Sequence, residues 1–366
     1  MTEGSRPPPA PSAGIVFATL AAVLFGASTP FAKLLLGQMP PVLLAGLLYL
    51  GSGAGLSLLY LASRRGREAP LTRSDAPWLA GAVLFGGVLA PVLLLIGLQT
   101  TPASTSALLL NLEGVSTALI AWFVFREGFD RRIAVGMLLI VAGGVVLSWQ
   151  GAGDTGVSLG ALAIAAACLC WGVDNNLTQK VSASNPYQGA AIKGAVAGAV
   201  NTAVALGLGA HLPSGAVVAG AMLVGFLGYG LSLAFFVLAL RHIGTARTGA
   251  FFSTAPFVGA LVALALLREP VGLLFAGATA LMAVGVWLHL TERHAHLHTH
   301  FGQAHTHAHA HERDHHHHHD HGPEATPTDT HAHPHVHDTL QHAHAHYPDI
   351  HHRHGHDDRD SERPEG

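Results

Sequence analysis

Ten long apolar runs constrain the fold of this chain more than any other feature of its sequence. They lie near residues 15–36, 41–62, 77–98, 104–125, 133–149, 158–179, 188–210, 214–240, 248–267 and 271–290. A helix rises about 1.5 Å per residue and the bilayer hydrocarbon is about 30 Å thick, so each run can cross a membrane as a helix. The runs are too long and too uniformly apolar for barrel strands. They therefore predict an all-α membrane protein with ten transmembrane helices, called spans 1 to 10 below.

The basic residues predict the orientation of these spans. The loops opposite the N-terminus carry only Arg268. The N-terminus, the loops on its side and the segment after span 10 carry Arg6, Arg64, Arg65, Arg67, Arg73, Arg126, Arg131, Arg132, Lys180, Arg241 and Arg293. Because cytoplasmic loops are enriched in Lys and Arg, we expect a multi-pass protein of the inner (plasma) membrane with both termini in the cytoplasm.

An internal repeat divides the membrane body into two halves. Residues 97–127 align without a gap to 239–269, an offset that pairs Arg126-Glu127 with Arg268-Glu269. Each half holds five spans, an odd number, so the two halves insert in opposite senses. We therefore expect two inverted five-helix repeats, an arrangement that recurs in secondary transporters with a substrate site between the halves. The predicted domains are a disordered N-terminus (1–14), a first repeat (15–149), a second repeat (150–290) and a tail (291–366).

Four segments carry a family resemblance. They are FGASTPFAK (25–33), SALLLNLEGVSTALIAWFVFRE (106–127), FDRRIAVGMLLIVAGGVVL (129–147) and GAFFSTAPFVGALVALALLREP (249–270). Over residues 15–290 the chain resembles the EamA-type branch of the drug/metabolite transporter superfamily. The resemblance implies two inverted five-helix repeats, alternating access and transport of small solutes, often outward. One departure is Glu113-Gly114, which stands where the second half has Ala255-Pro256, the commoner choice in that family.

Ionisable residues inside a span are candidates for function, because each costs about 2.5–3.5 kcal/mol at the bilayer centre on insertion scales. Glu113 lies near the middle of span 4, either as a proton-titrating or cation-attracting group or as a hydrogen-bonded packing residue. Asn111 is expected to be a packing partner. Asp174 and Lys193 lie at similar depth on consecutive antiparallel spans, so we expect them to pair. The pair is either static or opens and closes during transport.

Other polar residues and prolines within the spans suggest local distortion or contact with solute. The run Asp174-Asn175-Asn176 predicts a cavity wall or an unwound segment. Lys33, near the outer end of span 1, is expected to snorkel to the interface, with attraction of an anionic solute as the alternative. Pro30, Pro91 and Pro256 each remove a helix hydrogen bond and predict kinks.

The tail is rich in histidine, since 25 of the 28 histidines follow residue 290. Its low complexity predicts disorder, and neutral imidazole is a good ligand for zinc, nickel, cobalt or copper. In an extended chain His-x-His presents two rings to one side, so we expect several adaptable metal sites. The candidate ligands are His305, His307, His309, His311, His315, His317, His331, His333, His335, His342, His344 and His346. The alternative is a solvated spacer, or a tail whose charge rises below about pH 6.5.

These features together predict a secondary transporter, an exporter of a small metabolite or ion, with a tail that handles transition metal as regulator or cargo. The alternative is a non-transporting membrane protein that buffers or senses metal. We expect no enzyme and no cofactor in the membrane body, because no nucleophile motif, phosphate loop or HExxH motif is present. The expected partners are the lipid bilayer, a small solute or ion and a transition metal. A net charge of −3 gives no support for nucleic-acid binding, and the sequence leaves open a homodimer.

Overall fold

The computed structural model describes residues 11–63, 73–124, 131–149, 158–180 and 186–291, together with four short segments of the tail. Ten helices in this part of the chain are long and apolar enough to cross a membrane, which confirms the predicted number. They are Ala13–Leu35, Pro41–Leu59, Arg73–Thr100, Ala103–Phe123, Arg131–Ser148, Leu159–Gln179, Tyr187–Gly207, Gly215–Leu240, Arg247–Leu267 and Leu273–Leu290. The predicted boundaries agree with these to within a few residues.

Six of the spans are continuous α-helices. Their full bounds are Pro11–Leu35, Pro41–Ser63, Arg131–Ser148, Leu159–Lys180, Pro186–Gly207 and Leu273–Leu290. Pro30 lies inside the first of these without interrupting it. The run Asp174-Asn175-Asn176 is helical throughout, so the prediction of an unwound segment there is wrong.

Spans 3 and 8 each contain a π-helical stretch at an equivalent position. In span 3 a 3₁₀ turn and an α-helix precede π-helical Val83–Leu89, and α-helix Ala90–Thr100 follows it. In span 8 α-helix Gly215–Gly225 leads into π-helical Phe226–Leu231, and a helix begins again at Ser232. The two repeats are offset by 142 residues, so residues 226–231 of the second correspond to residues 84–89 of the first. The two repeats therefore share this irregularity. Isolated π-helical turns are often found at functional sites.

Spans 4 and 9 are interrupted at equivalent positions as well. Span 4 consists of helices Ala103–Leu109 and Leu112–Phe123, joined by a turn. The helix that begins at Ser232 is kinked at Gly244 and continues to Phe252, and a turn then separates it from Ala255–Leu267. The predicted kinks at Pro91 and Pro256 coincide with two of these changes, since each proline lies in the first turn of a new helical segment.

Contacts between the repeats follow the inverted symmetry. Span 1 packs against spans 8 and 9, and its counterpart, span 6, packs against spans 3 and 4. Span 2 packs against span 7, span 4 against span 9, and span 5 against span 10. The core of the body therefore lies between the two repeats, as expected for an inverted-repeat protein.

Glycine allows the closest of these approaches. A Cβ on Gly53 would lie 2.8 Å from the backbone carbon of Gly194, and a Cβ on Gly136 would lie 2.8 Å from the carbonyl oxygen of Gly285. Burial of apolar area gives little drive for helix association in lipid, so packing of this kind supplies much of it.

The tail contributes a separate unit over Arg293–Pro348. Its described residues are four strands, Ala295–His300, Ala304–His309, His331–Val336 and Leu340–Ala345. The first pairs with the fourth and the second with the third, both antiparallel, and the register sets His305 opposite His335 and His307 opposite His333. Each ribbon has two strands only, and a lone two-stranded ribbon is marginally stable in water.

Candidate functional site

Side chains add hydrogen bonds at the breaks in spans 4 and 9. The carbonyl of Leu108 accepts from the side-chain amide of Asn111 at 2.8 Å and from its backbone N–H at 3.1 Å, which agrees with the packing interpretation of that residue. In span 9 the carbonyl of Phe251 likewise accepts from the hydroxyl of Thr254 at 2.6 Å and from its backbone N–H at 3.1 Å. Both turns therefore keep their carbonyls hydrogen-bonded within the protein, as is required at membrane depth.

Glu113 lies directly after the break, in the first turn of the second half of span 4. A carboxylate is favoured at this position by the partial positive charge of a helix N-terminus. Its Oε1 accepts from the amide of Asn175 on span 6 at 3.0 Å, and the same amide nitrogen donates to the hydroxyl of Thr117 at 3.1 Å. A Cβ on the adjacent Gly114 would meet no atom within 4 Å. The carboxylate of Glu113 therefore accepts from a neutral amide, and the position after it on the helix has open space beside it.

Asp174 and Lys193 form the predicted ion pair between spans 6 and 7. The side chain of Asp174 is 5% exposed and that of Lys193 is 22% exposed, so the pair is largely removed from solvent. The hydroxyl of Thr178 donates to Oδ1 of Asp174 at 3.0 Å. Within the described part of the chain this is the one ion pair, and Glu113 lies outside it.

The π-helical stretch of span 3 lies against the ion pair. A Cβ on Gly86 would overlap the carboxylate of Asp174, so only glycine fits there. The carbonyl of Gly86 accepts from the hydroxyl of Tyr49 at 2.7 Å and from the indole of Trp171 at 3.1 Å. Asn201 reaches the carbonyl of Gly87 at 3.3 Å. Spans 2, 6 and 7 thus supply donors to carbonyls of the π-helical stretch.

Sequence reasoning missed Tyr49, Trp171 and Asn201. The Gly86-Gly87 doublet is the one sequence signal that could have directed attention to this part of span 3. Together with Glu113, Asn175, Asp174 and Lys193 these residues form what we call the central cluster.

Lys33 does not belong to the central cluster. Its ammonium donates to the carbonyls of Leu98, Gln99 at 3.2 Å and Thr101 at 3.1 Å. It therefore satisfies the last carbonyls of span 3, a favourable position for a cation. The structure thus gives Lys33 a backbone-capping contact, which is neither of the two expectations drawn from the sequence.

The candidate metal ligands of the tail are placed only in part. His305, His307, His309, His331, His333, His335, His342 and His344 lie in the four strands. His311, His315, His317 and His346 lie outside the described residues. Among the residues that are described, no group of three or more His, Cys, Asp or Glu side chains is arranged to hold a metal ion.

Comparison with known proteins agrees with the two-repeat architecture. The model of the EamA-like transporter family matches residues 12–149 and again residues 158–291. A solved crystal structure with 21% sequence identity superposes with a TM-score of 0.58, covering 76% of this chain and 95% of that one, and so shows a shared fold.

Curated relatives cover different shares of the chain. An uncharacterized transporter of Methanothermobacter thermautotrophicus is 29% identical over 293 residues, which are 75% of this chain and 85% of that protein. A probable 4-amino-4-deoxy-L-arabinose-phosphoundecaprenol flippase subunit ArnE of Pseudomonas aeruginosa is 45% identical over 75 residues, 20% of this chain and 63% of its own. Since the family model matches both halves of the helical body, the chain belongs to the EamA-like transporter family.

Proposed function

We propose that the protein is a secondary transporter that exports a small metabolite or ion, and that Glu113 is the group that couples transport to a proton or another cation. Membership in a transporter family supports the general activity. The observation that carries the coupling role is the environment of Glu113, a carboxylate at mid-span with an amide partner and, among the described residues, no Lys or Arg nitrogen within 4 Å. Such a carboxylate can gain and lose a proton or cation without breaking a buried ion pair.

Asp174 and Lys193 have a different role in this proposal. Their charges offset each other, and breaking a buried pair is costly. We propose that the pair holds spans 6 and 7 together beside span 3. Asn175, the neighbour of Asp174 on span 6, bonds to Glu113 on span 4 and so connects the pair to it. The solute would bind beside the central cluster, between the two repeats.

The tail is proposed to bind transition metal in the cytoplasm and to regulate or supply the transporter. Its composition supports this proposal, because 25 of the 28 histidines follow residue 290 and neutral imidazole is a good ligand for transition metals. A membrane metal buffer or sensor that moves no solute remains the competing class.

One experiment separates these readings. Cells expressing the intact chain, Glu113→Gln or a chain truncated after Thr291 would be compared at matched protein levels, with zinc, nickel, cobalt and small metabolites measured inside and outside by mass spectrometry. We expect Glu113→Gln to reduce export of at least one solute about tenfold or more, because the substituted amide cannot titrate. Gly114→Ala serves as the control, since its added methyl meets open space.

The outcomes distinguish the classes directly. Loss of metal export in Glu113→Gln with an intact tail identifies metal as cargo. Loss of an organic solute identifies a metabolite exporter. If Glu113→Gln matches the intact chain for every solute and only truncation changes cellular metal, the protein is a buffer or sensor and the coupling role is wrong.

A further inference from the structure

Spans 4 and 9 are equivalent under the repeat, yet their mutual contacts are concentrated at one end of the body. The first half of span 4, Ala103–Leu109, packs against the second half of span 9, Ala255–Leu267. Strict inverted symmetry would pair the other two halves in the same way. Among the described residues these halves have no comparable contact, and Leu112–Phe123 packs against spans 5 and 6 instead. The two spans are therefore closed together where span 4 begins and separated where it ends.

Burial follows the same division. All seven residues of Ala103–Leu109 are buried. In the described part of the equivalent stretch of span 9, Thr248 is buried, whereas Arg247 is exposed and the three residues after Thr248 are half-buried. Beyond the break in span 4, Gly114 is exposed as well. The separated end therefore leads toward Glu113.

Glu269 connects the two repeats at the closed end. It lies in the loop after span 9, and its carboxylate accepts the backbone N–H groups of Ala103 at 2.7 Å and Ser104 at 2.8 Å. The start of a helix leaves such N–H groups without a partner inside the helix, and hydrogen bonds to a charged acceptor are stronger than neutral ones. One side chain of the second repeat thus holds the start of span 4 in the first repeat.

The backbone just before Glu269 has an unfavourable conformation. Arg268 follows the last residue of span 9 with a φ of 52°, and it is the one non-glycine residue with a positive φ in the described part of the chain. A side chain disfavours this left-handed conformation, so it persists where surrounding contacts hold it. The two hydrogen bonds of Glu269 are contacts of this kind, and their release would allow the turn to relax.

We propose that Glu269 is a latch, a side chain that holds the transporter closed where span 4 begins and releases span 4 in each transport cycle. The two ends of an inverted-repeat transporter open alternately around a central site. The structure has its opening at the end that the basic loops predict to be cytoplasmic. Glu269 is a positioning residue in this proposal, because it acts through span 4 and not on the solute. The proposal is independent of the coupling role of Glu113.

The test measures how fast single cysteines of the full-length chain react with a membrane-impermeant maleimide, in right-side-out and in inside-out vesicles. Cys168 and Cys170 are first replaced by alanine. Ser106→Cys then reports on the closed end, since Ser106 is wholly buried in the first half of span 4. Gly114→Cys reports on the open end, since a Cβ there meets no atom within 4 Å. We expect Gly114→Cys to react from one face of the membrane, the predicted cytoplasmic one, and Ser106→Cys to react from neither.

Glu269→Ala should shift the population toward the opposite state. The loss of two hydrogen bonds to a carboxylate corresponds to about tenfold or more in the equilibrium between the two states. Labelling of Ser106→Cys from the other face should therefore rise about tenfold, while labelling of Gly114→Cys falls. Glu269→Gln keeps the size of the side chain and one acceptor oxygen, so it should cause a smaller change in the same directions. Gln38→Ala is the control, because Gln38 is exposed in the loop between spans 1 and 2 at the same end.

Three results would overturn the proposal. If Gly114→Cys reacts from neither face while Glu269 is intact, the end beyond the break is not open. If Glu269→Ala speeds the labelling of Ser106→Cys but leaves that of Gly114→Cys unchanged, Glu269 only prevents local fraying of span 4. If Glu269→Ala changes neither rate, or changes them no more than Gln38→Ala does, Glu269 is not a latch.

Discussion

Spans 3 and 4 of the first repeat and their counterparts, spans 8 and 9, share their backbone irregularities but differ in the polar side chains beside them. Gly86 of span 3 lies against the carboxylate of Asp174, whereas Gly228 of span 8 lies against Ser28. Glu113 follows the break in span 4, and Ala255 follows the break in span 9. The segment that begins at Phe25 also aligns with the segment that begins at Trp171, which pairs Gly26 with Gly172 and Ser28 with Asp174.

The backbone irregularities and the ionisable side chains are therefore distributed differently between the two repeats. The π-helical stretches and the broken helices occur in both repeats, so they belong to the fold that the repeats have in common. The ionisable groups surround only one of the two equivalent positions. The first break and its neighbours on span 6 are therefore where we expect solute or coupling-ion chemistry, and the second break should tolerate change that affects packing alone.

The largest effect on stability is expected at the ion pair beside Gly86, when one of its two charged side chains is replaced without the other. Lys193→Met leaves the carboxylate of Asp174 buried without its cation, which should lower the free energy of unfolding by about 3–5 kcal/mol. Asp174→Ser combined with Lys193→Met should recover most of this loss, because it removes the buried carboxylate that the single variant leaves without a cation. Reversible unfolding in mixed detergent micelles would measure both variants. A double variant as unstable as the single one would show that the loss comes from packing and not from charge.

An intermediate effect, larger at Gly26 than at Gly172, is expected at the first glycine of each aligned segment. A Cβ on Gly26 would lie 2.2 Å from the carbonyl oxygen of Ala255, and one on Gly172 would lie 2.8 Å from the Cβ of Ser116. Gly26→Ala and Gly172→Ala should each lower the free energy of unfolding by about 1–3 kcal/mol, as overpacking does. Gly220→Ala, where an added Cβ meets nothing within 4 Å, is the control. A loss at Gly172→Ala that exceeds the loss at Gly26→Ala would contradict this order.

The smallest effect on stability is expected when the first break receives the residues of the second. Glu113→Ala with Gly114→Pro reproduces Ala255-Pro256 at the start of a half-helix, a position where proline is tolerated. We expect the free energy of unfolding to change by less than about 1 kcal/mol, while export is lost. Thermal unfolding and the export measurement would be made on the same preparation. A folded variant that still exports would remove Glu113 from the coupling mechanism.

The number of spans and the ion pair could be predicted from the sequence because both depend on local or neighbouring segments. About twenty apolar residues suffice to indicate a span. Asp174 and Lys193 lie on consecutive antiparallel helices, so similar distances from the intervening loop place them together. The predicted unwinding at Asp174-Asn175-Asn176 failed because each of these side chains finds a partner while the backbone stays helical.

Contacts between distant segments could not be predicted in the same way. Glu269 reaches backbone N–H groups 165 and 166 residues earlier in the chain. Lys33 bonds to carbonyls of span 3, where no side chain marks the site. The π-helical stretches also lack a signature, because one extra residue per turn changes which backbone atoms pair without requiring a particular composition.

The paired π-helical stretches have one further mechanical consequence. The hydrogen-bonded turn of a π-helix is wide and holds one residue more than that of an α-helix. Each of these spans therefore contains one residue more than an α-helix of the same length. If the wide turn moves along the helix, each residue it passes rotates by about 100°, the angle between successive residues. Gly86 and Gly87 in span 3, and Gly228 and Gly230 in span 8, carry no Cβ to obstruct that movement. Such a movement would turn side chains from one neighbour to another while the loops at both ends stay where they are, and in span 3 it would break the hydrogen bonds that Tyr49 and Trp171 donate to Gly86.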